Sequence, residues 1–381
     1  LDLAQKARNL QENGEAVIDF GSGDPDLKTP AYICAGAKAA IDAGDTKYDR
    51  AAGIEALKLV ISKKLREDQG LDYSPEHIFI NNGAKSGIFT ALQAVLNPGD
   101  EVIVVRPYWL SYTEMIRLAG GVPVVAETQK DNQFKLTPEE LTDAITPKTK
   151  AIILNSPTNP TGVIYSLEEL LNLAEVLVRN KIIVISDEVY EEFVYGERNH
   201  ISIAALNSDI KDQTIVVNGF SKTFAMTGWR LGYAAANLEI IEGMRRVQSH
   251  TLSYPSTISQ QAGRVALENK DEVIAAIVNE FDERRQAMIQ RLDQLPGLDY
   301  IYPESTFYVF VDIEELLDNR KNVLNPDNSA GFCEKLLETA RVVAVPGEAF
   351  GMPKYIRLSF TVPLEVIQEG FDRIEKFVSQ Y

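Results

Sequence analysis

The sequence predicts an α/β protein: a large domain built on a mostly parallel, doubly wound sheet, joined to a smaller α+β domain. Three observations predict it. Short continuous apolar runs alternate with longer amphipathic stretches through the middle of the chain, the pattern of buried parallel strands crossed by helices. Helical stretches carry stop and start signals, such as Pro98-Gly99 after one and Ser166 before another. Over the last hundred residues the order changes to a long charged helix followed by short strands and helices, which reads as a separate α+β unit.

The expected strands of the large domain are 101–105, 151–154, 182–186 and 214–217, with helices at 86–96 and 167–179 between them. The smaller unit is expected to hold a long helix at 271–295, strands at 308–312, 342–345 and 355–360, and a helix at 330–339. A first helix at 3–11 and a short strand at 17–20 could join it. These assignments divide the chain into a large domain at 30–285 and a small one made of 1–29 and 286–381. No repeat, low-complexity tract or long linker interrupts them.

The 381 residues are 45% hydrophobic and 24% charged, so the chain can bury a substantial core. A formal net charge of −17 argues against nucleic acid and anionic membranes as partners. The nearest basic pairs, Lys63-Lys64 and Arg284-Arg285, lie among acidic neighbours and read as solvated helix faces. Two cysteines, Cys34 and Cys333, make neither a disulfide framework nor a zinc site, and a reducing cytoplasm is the default. No apolar run reaches the roughly 20 residues that span a bilayer, and the start, Leu1-Asp2-Leu3-Ala4, has no initiator Met and lacks a signal-peptide layout. His77, His200 and His250 do not cluster in sequence, so no metal is expected.

The chemistry concentrates where predicted strands end. Lys222 follows the strand 214–217 through Asn218-Gly219-Phe220-Ser221, and open α/β sheets bind ligands at the carboxyl ends of their strands. Eight residues later Arg230 stands among small and apolar residues. A guanidinium matches phosphate oxygens bidentately, so lysine with arginine at a strand end suggests a phosphorylated carbonyl cofactor, although a structural ion pair would also explain the arginine. Asp187 follows the buried strand 182–186. It needs a cation there, which a protonated pyridine nitrogen would supply, unless it caps a helix. Asn155-Ser156-Pro157-Thr158-Asn159-Pro160-Thr161-Gly162 follows the strand 151–154 and reads as a turn. From it the Asn159 amide, together with Tyr190, could bind a phenolic oxygen.

Taken in order, Ser-Pro-Thr-Asn-Pro-Thr-Gly (156–162), Asp-Glu-Val-Tyr (187–190) and Ser-Lys-Thr-Phe-Ala-Met-Thr-Gly-Trp-Arg (221–230) resemble the class I aminotransferases of fold type I, most closely the bacterial aspartate aminotransferase branch. The likeness extends over almost the whole chain. It implies pyridoxal 5′-phosphate as cofactor, held as a Schiff base on Lys222, which also carries the proton at the substrate Cα. It implies that Asp187 pairs with the ring nitrogen, that Tyr190 and Asn159 bind the phenolic oxygen, and that Arg230 clamps the phosphate. Gly83, Ala84 and Lys85 match the turn whose amides hold the phosphate at a helix N-terminus. Trp109 matches the residue stacked on the ring, and Tyr48 one that reaches the phosphate of a neighbouring subunit in a homodimer with shared sites. Arg357 and Gly23 match the groups that bind the substrate α-carboxylate. His250 falls in a segment that relatives bring close to the partner's site.

One departure stands out. Gly219 occupies the place where many relatives carry a serine that binds phosphate, and Ser221 or Lys85 could supply the missing contact. Lys85 also matches a lysine that binds the side-chain carboxylate of dicarboxylic substrates. The resemblance therefore implies exchange of amino groups between aspartate and 2-oxoglutarate by a ping-pong route. Prephenate, aromatic or other amino acids are alternatives within the branch, and lyases share the scaffold. A non-enzymatic sensor would need an added DNA-binding module, for which the sequence offers no helix-turn-helix region.

Overall fold

The computed structural model describes residues 2–49, 52–318 and 326–379. Arg50 and Ala51, which follow closely on Tyr48 in the sequence, lie outside them.

A first helix, Asp2–Glu12, leads to the short strand β1 (Ile18–Asp19). Seven strands then build the main sheet: β2 (Ile78–Asn81), β3 (Glu101–Val105), β4 (Val122–Ala126), β5 (Thr149–Asn155), β6 (Ile183–Asp187), β7 (Thr214–Gly219) and β8 (Gly232–Ala235). Their order across the sheet is β2-β8-β7-β6-β5-β3-β4, and β8 alone runs against its neighbours. The sheet is thus mostly parallel and doubly wound, as the sequence predicts.

Alternation along the strands sends side chains to two buried layers. Val102, Val104, Ile153, Ile185, Ile215 and Val217 pack on one face against the helices Ala84–Val95, Ser111–Leu118 and Leu238–His250. On the opposite face Ile103, Ile152, Leu154 and Val184 meet Leu170, Leu173 and Leu177 of the helix Leu167–Arg179. Ser166 caps that helix in a full capping box with Glu169. Both faces are covered, which is why the strands read as continuous apolar runs.

Strands 151–154, 182–186 and 214–217 are longer or shifted in the structure, reaching Asn155, Asp187 and Gly219. The polar residues at their ends mask the continuation, yet Asn155 and Asp187 remain in ladder register. The predicted strand 342–345 is two strands in two sheets. β11 (Val342–Val343) pairs in parallel with β1, whereas β12 (Val345–Pro346) joins β9 (Asp299–Ile301), β10 (Tyr308–Asp312) and β13 (Tyr355–Ser359) in the order β12-β13-β10-β9. The long helix, Asp271–Leu292, ends a turn early, and Leu295 is buried beyond its end.

The basic pairs correct the reading of solvated helix faces. Lys63 is solvated, but Lys64 is buried on Glu191 at 2.5 Å. Arg284 is buried on Asp26 at 2.7 Å, and Arg285 on Asp282 and the Pro303 carbonyl. Each carboxylate lies where acidic neighbours in sequence say nothing about depth, and a buried guanidinium is tolerated only because it is fully paired.

Candidate active site

The parallel strands β5, β6 and β7 end side by side, and their ends open a cavity of about 510 Å³. It is lined by Asn155, Asp187, Ser221, Lys222 and Arg230 from the strand ends and the loops after them. Gly23, Tyr308 and Arg357 approach from the N-terminal segment and the small sheet, and Ala84, Lys85, Trp109, Tyr112, Asn159 and Tyr190 complete the wall.

Asp187 lies on the same face of β6 as Ile185 and is fully buried. Burial pushes its carboxyl up to about 6, against the lowering effect of a hydrogen bond from Tyr112 Oη to Oδ2 at 2.6 Å. No helix starts at Asp187, so it is not an N-cap. Lys222 Nζ donates to the Gly23 carbonyl. The Tyr190 and Tyr308 hydroxyls stand 2.9 Å apart, and burial holds the Tyr190 phenol well above its ordinary range.

Arg357 donates to Asn159 Oδ1 and to the Gly21 carbonyl, both at 2.9 Å, with its guanidinium 4.0 Å from the centre of the Tyr308 ring. Its Nε is buried without a hydrogen-bond partner among the described residues. Arg230 donates to the carbonyls of Thr227 and Asn82 and has no carboxylate partner among the described residues. It stands beside Gly83, the residue that opens the helix Ala84–Val95 with φ +85° and without a side-chain cap. A Cβ on Gly83 would lie 2.5 Å from Arg230 Nη2, the far end of a flexible side chain, so the backbone, with φ +85° and ψ 157°, is what favours glycine here. Lys85 Nζ sits 4.6 Å over the Trp109 ring. Burial, then Arg230 and Lys222, lower its affinity for a proton.

Four cations, Lys85, Lys222, Arg230 and Arg357, therefore face one carboxylate, Asp187, in a protein whose net charge is −17. That imbalance suits a ligand with more than one negative group.

The family profile described as "Aminotransferase class I and II" matches residues 15–374. The chain belongs to that family. It is 42% identical to an aspartate aminotransferase of Geobacillus stearothermophilus, across 99% of this chain and 95% of that one. It is 41% identical to an aspartate/prephenate aminotransferase of Cereibacter sphaeroides, across 98% and 94%. The solved aspartate aminotransferase of Rhizobium meliloti superposes with a TM-score of 0.95 at 37% identity, covering 100% of this chain and 95% of that one.

The donor set of this aminotransferase fits pyridoxal phosphate. The uncapped helix start after Gly83 and the Arg230 guanidinium suit the phosphate, Asp187 suits a ring nitrogen, and Lys222 supplies the amine. Gly219 ends β7, where an added Cβ would have only ordinary contacts, 3.7 Å from Ala84 Cβ. The Cβ of a serine would therefore fit, and that atom gives no steric reason for the glycine.

Two expected residues, Tyr48 and His250, stand apart from this cavity, as does His200, for which no role was expected. Tyr48 is 88% exposed, edge-on to Tyr254 at 5.6 Å, and His250 is exposed at the end of its helix. His200 lies behind the sheet on Glu188 at 2.9 Å. Two lining residues lie outside every quoted motif, and Asn155, Val189 and Thr227 line the cavity from within the motifs without a role having been expected of them. Tyr112 lies three places after Trp109, a spacing that shares a face at the start of a helix, and Tyr308 looks like an ordinary core residue of a buried strand.

Proposed function

We propose that this pyridoxal-phosphate-dependent transaminase moves an amino group from L-aspartate to 2-oxoglutarate, giving oxaloacetate and L-glutamate in two half-reactions of a ping-pong cycle. The observation that carries the reading is the placement of Lys222, Asp187, Arg230 and Arg357 around one cavity at the ends of β5–β7. The relatives named aspartate aminotransferase support the substrate.

Bound pyridoxal phosphate supplies an electrophilic carbonyl carbon and an electron-poor ring that can accept negative charge from the substrate Cα. Lys222 would hold it through Nζ and would move the proton at the substrate Cα. Asp187 stays ionised against the ring nitrogen. Tyr190 and Asn159 donate to the phenolic oxygen, Arg230 and the main chain of Gly83, Ala84, Lys85 and Ser221 hold the phosphate, and Trp109 covers the ring.

Arg357 and the Gly23 main chain orient the α-carboxylate, and Lys85 receives the side-chain carboxylate. Fixing the substrate at two anionic points aims its Cα–H at Lys222, which is where the proton must go. A second reading, prephenate as amino acceptor, is favoured by the aspartate/prephenate aminotransferases among the relatives. It uses the same two cationic anchors.

The reading extends to a homodimer in the cytoplasm, in which Tyr48 reaches the partner's phosphate. Its exposure fits that role. No described helix is long and apolar enough to cross a membrane. The division into a large domain at 30–285 and a small domain of 1–29 and 286–381 places Arg357 and Gly23 on the part that would close over substrate.

Borohydride reduction of the loaded protein followed by peptide mass spectrometry tests the covalent link: the label is expected on Lys222, and a label on another side chain would overturn the assignment. Visible spectra recorded while aspartate, glutamate, prephenate-derived donors and phenylalanine are offered in turn then rank the substrates.

A further inference from the structure

We propose that Glu188 and His200 are a positioning pair for Asp187, a buried ion pair behind the sheet that fixes the end of β6 so that the Asp187 carboxylate faces the cavity. The proposal rests on the reading that Asp187 meets the cofactor's ring nitrogen. It adds residues that touch neither substrate nor cofactor.

Strand alternation sets the geometry. Asp187 follows Ile185 to the cavity face, whereas Ser186 and Glu188 turn to the opposite face, where Val184 packs. There the Glu188 carboxylate is completely buried. It accepts from Ser186 Oγ at 2.8 Å, Ser202 Oγ at 2.6 Å, His200 Nε2 at 2.9 Å and Gln69 Nε2 at 3.4 Å. All four partners are donors, so the group is built to be ionised, and His200 Nε2 must carry a hydrogen. The Glu188 main-chain N–H also donates to the Val217 carbonyl at 2.9 Å, tying this residue to β7. A single residue thus anchors the main chain beside Asp187 on the strand that leads to Lys222.

Four donors on a surface turn would do no more than stabilise the fold. Here the anchored carboxylate is the immediate neighbour of Asp187, both are buried, and the charge of Glu188 raises the proton affinity of Asp187. His200 offsets it. Other charged or titratable groups around Glu188 are Tyr73, which follows the helix Glu55–Gln69, Glu191 and Glu192 from its own loop, Lys64 from that helix, and Tyr233 of β8. Lys64 neutralises Glu191, which in turn accepts from Asn218 Nδ2 of β7 at 2.6 Å. Although Glu188, Glu191 and His200 bring ligand atoms within 4.8 Å of one another, each carboxylate already has its own cationic or donor partners.

If the pair only stabilises the fold, deleting either member should act in the same direction. If it positions and balances Asp187, the two deletions should act in opposite directions. The experiment titrates cofactor-stripped protein with pyridoxal phosphate from pH 5 to pH 8 and follows the acid limb of affinity, taking as the Asp187 part what Asp187→Asn removes. Glu188→Gln should move that limb to lower pH and His200→Ala to higher pH, each by about one pH unit, the size that a neighbouring buried charge imposes.

His200→Gln keeps an N–H for Glu188 and should move the limb less than His200→Ala. Where His200→Ala does not fold by thermal melting, His200→Gln against Glu188→Gln decides the sign. Shifts in one direction, or none, would overturn the inference while leaving Asp187 at the ring. An acid limb that Asp187→Asn leaves intact would instead remove the reading beneath it, a failure that the Glu188 and His200 variants do not produce.

Discussion

The Tyr112 hydroxyl donates to Asp187 Oδ2 across 2.6 Å, with both groups buried at the ends of their elements. This bond works against burial, which raises the carboxyl's affinity for a proton. A hydrogen bond to a charged group contributes about 1.5–3 kcal/mol, so Tyr112→Phe should weaken pyridoxal phosphate binding at pH 7.5 roughly tenfold or more. Titration of the stripped protein checks it; unchanged affinity would mean that Asp187 is held by other groups.

Asp187 also makes stability depend on pH in an unusual direction. Its carboxyl is raised from 3.8 to about 6 in the protein without cofactor, so folding favours the protonated form. That contribution is fully present below pH 3.8 and is lost as pH rises through 6. A rise of this size corresponds to roughly 3 kcal/mol, so stripped Asp187→Asn should be more stable than wild type at pH 8 by up to that amount, and indistinguishable from it near pH 4. Denaturant unfolding at the two pH values measures the difference.

Gly83→Ala places a methyl against the Arg230 guanidinium in a left-handed backbone. A non-glycine residue at this φ of +85° and ψ of 157° costs about 1–3 kcal/mol, so the variant should still fold. Its defect should appear as lost affinity for pyridoxal phosphate and not for pyridoxal, because the disturbed turn faces the phosphate. Equal loss for both ligands would locate the phosphate elsewhere.

Lys85 stands over Trp109 with its proton affinity lowered by burial and by two neighbouring cations. Removing a charged partner from one substrate group affects only substrates that carry that group. Lys85→Ala should lower kcat/KM for aspartate by roughly 10–100-fold and change that for alanine by only a few-fold. An unchanged preference between the two would detach Lys85 from the side-chain carboxylate.

Arg357→Lys keeps a positive charge but loses the planar fork that serves Asn159 and Gly21. Steady-state kinetics should show KM for every amino donor raised by about tenfold or more. A rise confined to dicarboxylic donors would place Arg357 at the side chain and not at the α-carboxylate.

Much of the site was legible because strand ends leave a sequence signature. The apolar runs 151–154, 182–186 and 214–217 stop at the polar residues Asn155, Asp187 and Asn218, and Asn159 and Lys222 follow soon after the first and last of these stops. What stayed hidden belongs to elements that meet only in space. Tyr308 begins a buried strand of another sheet, and nothing within that strand says that its hydroxyl reaches Tyr190 or that its ring lies beside Arg357. Lys64, Arg284 and Arg285 read as surface because their sequence neighbours are acidic and soluble, whereas depth depends on what packs over them.

By itself the sequence determined a mostly parallel sheet crossed by helices, four of its seven strands and the strand ends where chemistry gathers, since period and turn chemistry are local and need no partner. The tertiary structure alone decided which charges balance one another. Asp187 and Glu188 are adjacent in the chain, yet alternation along β6 sends one to the cavity and the other to His200 on the far face. Electrostatic energy depends on distance and burial, and neither is written in the order of residues.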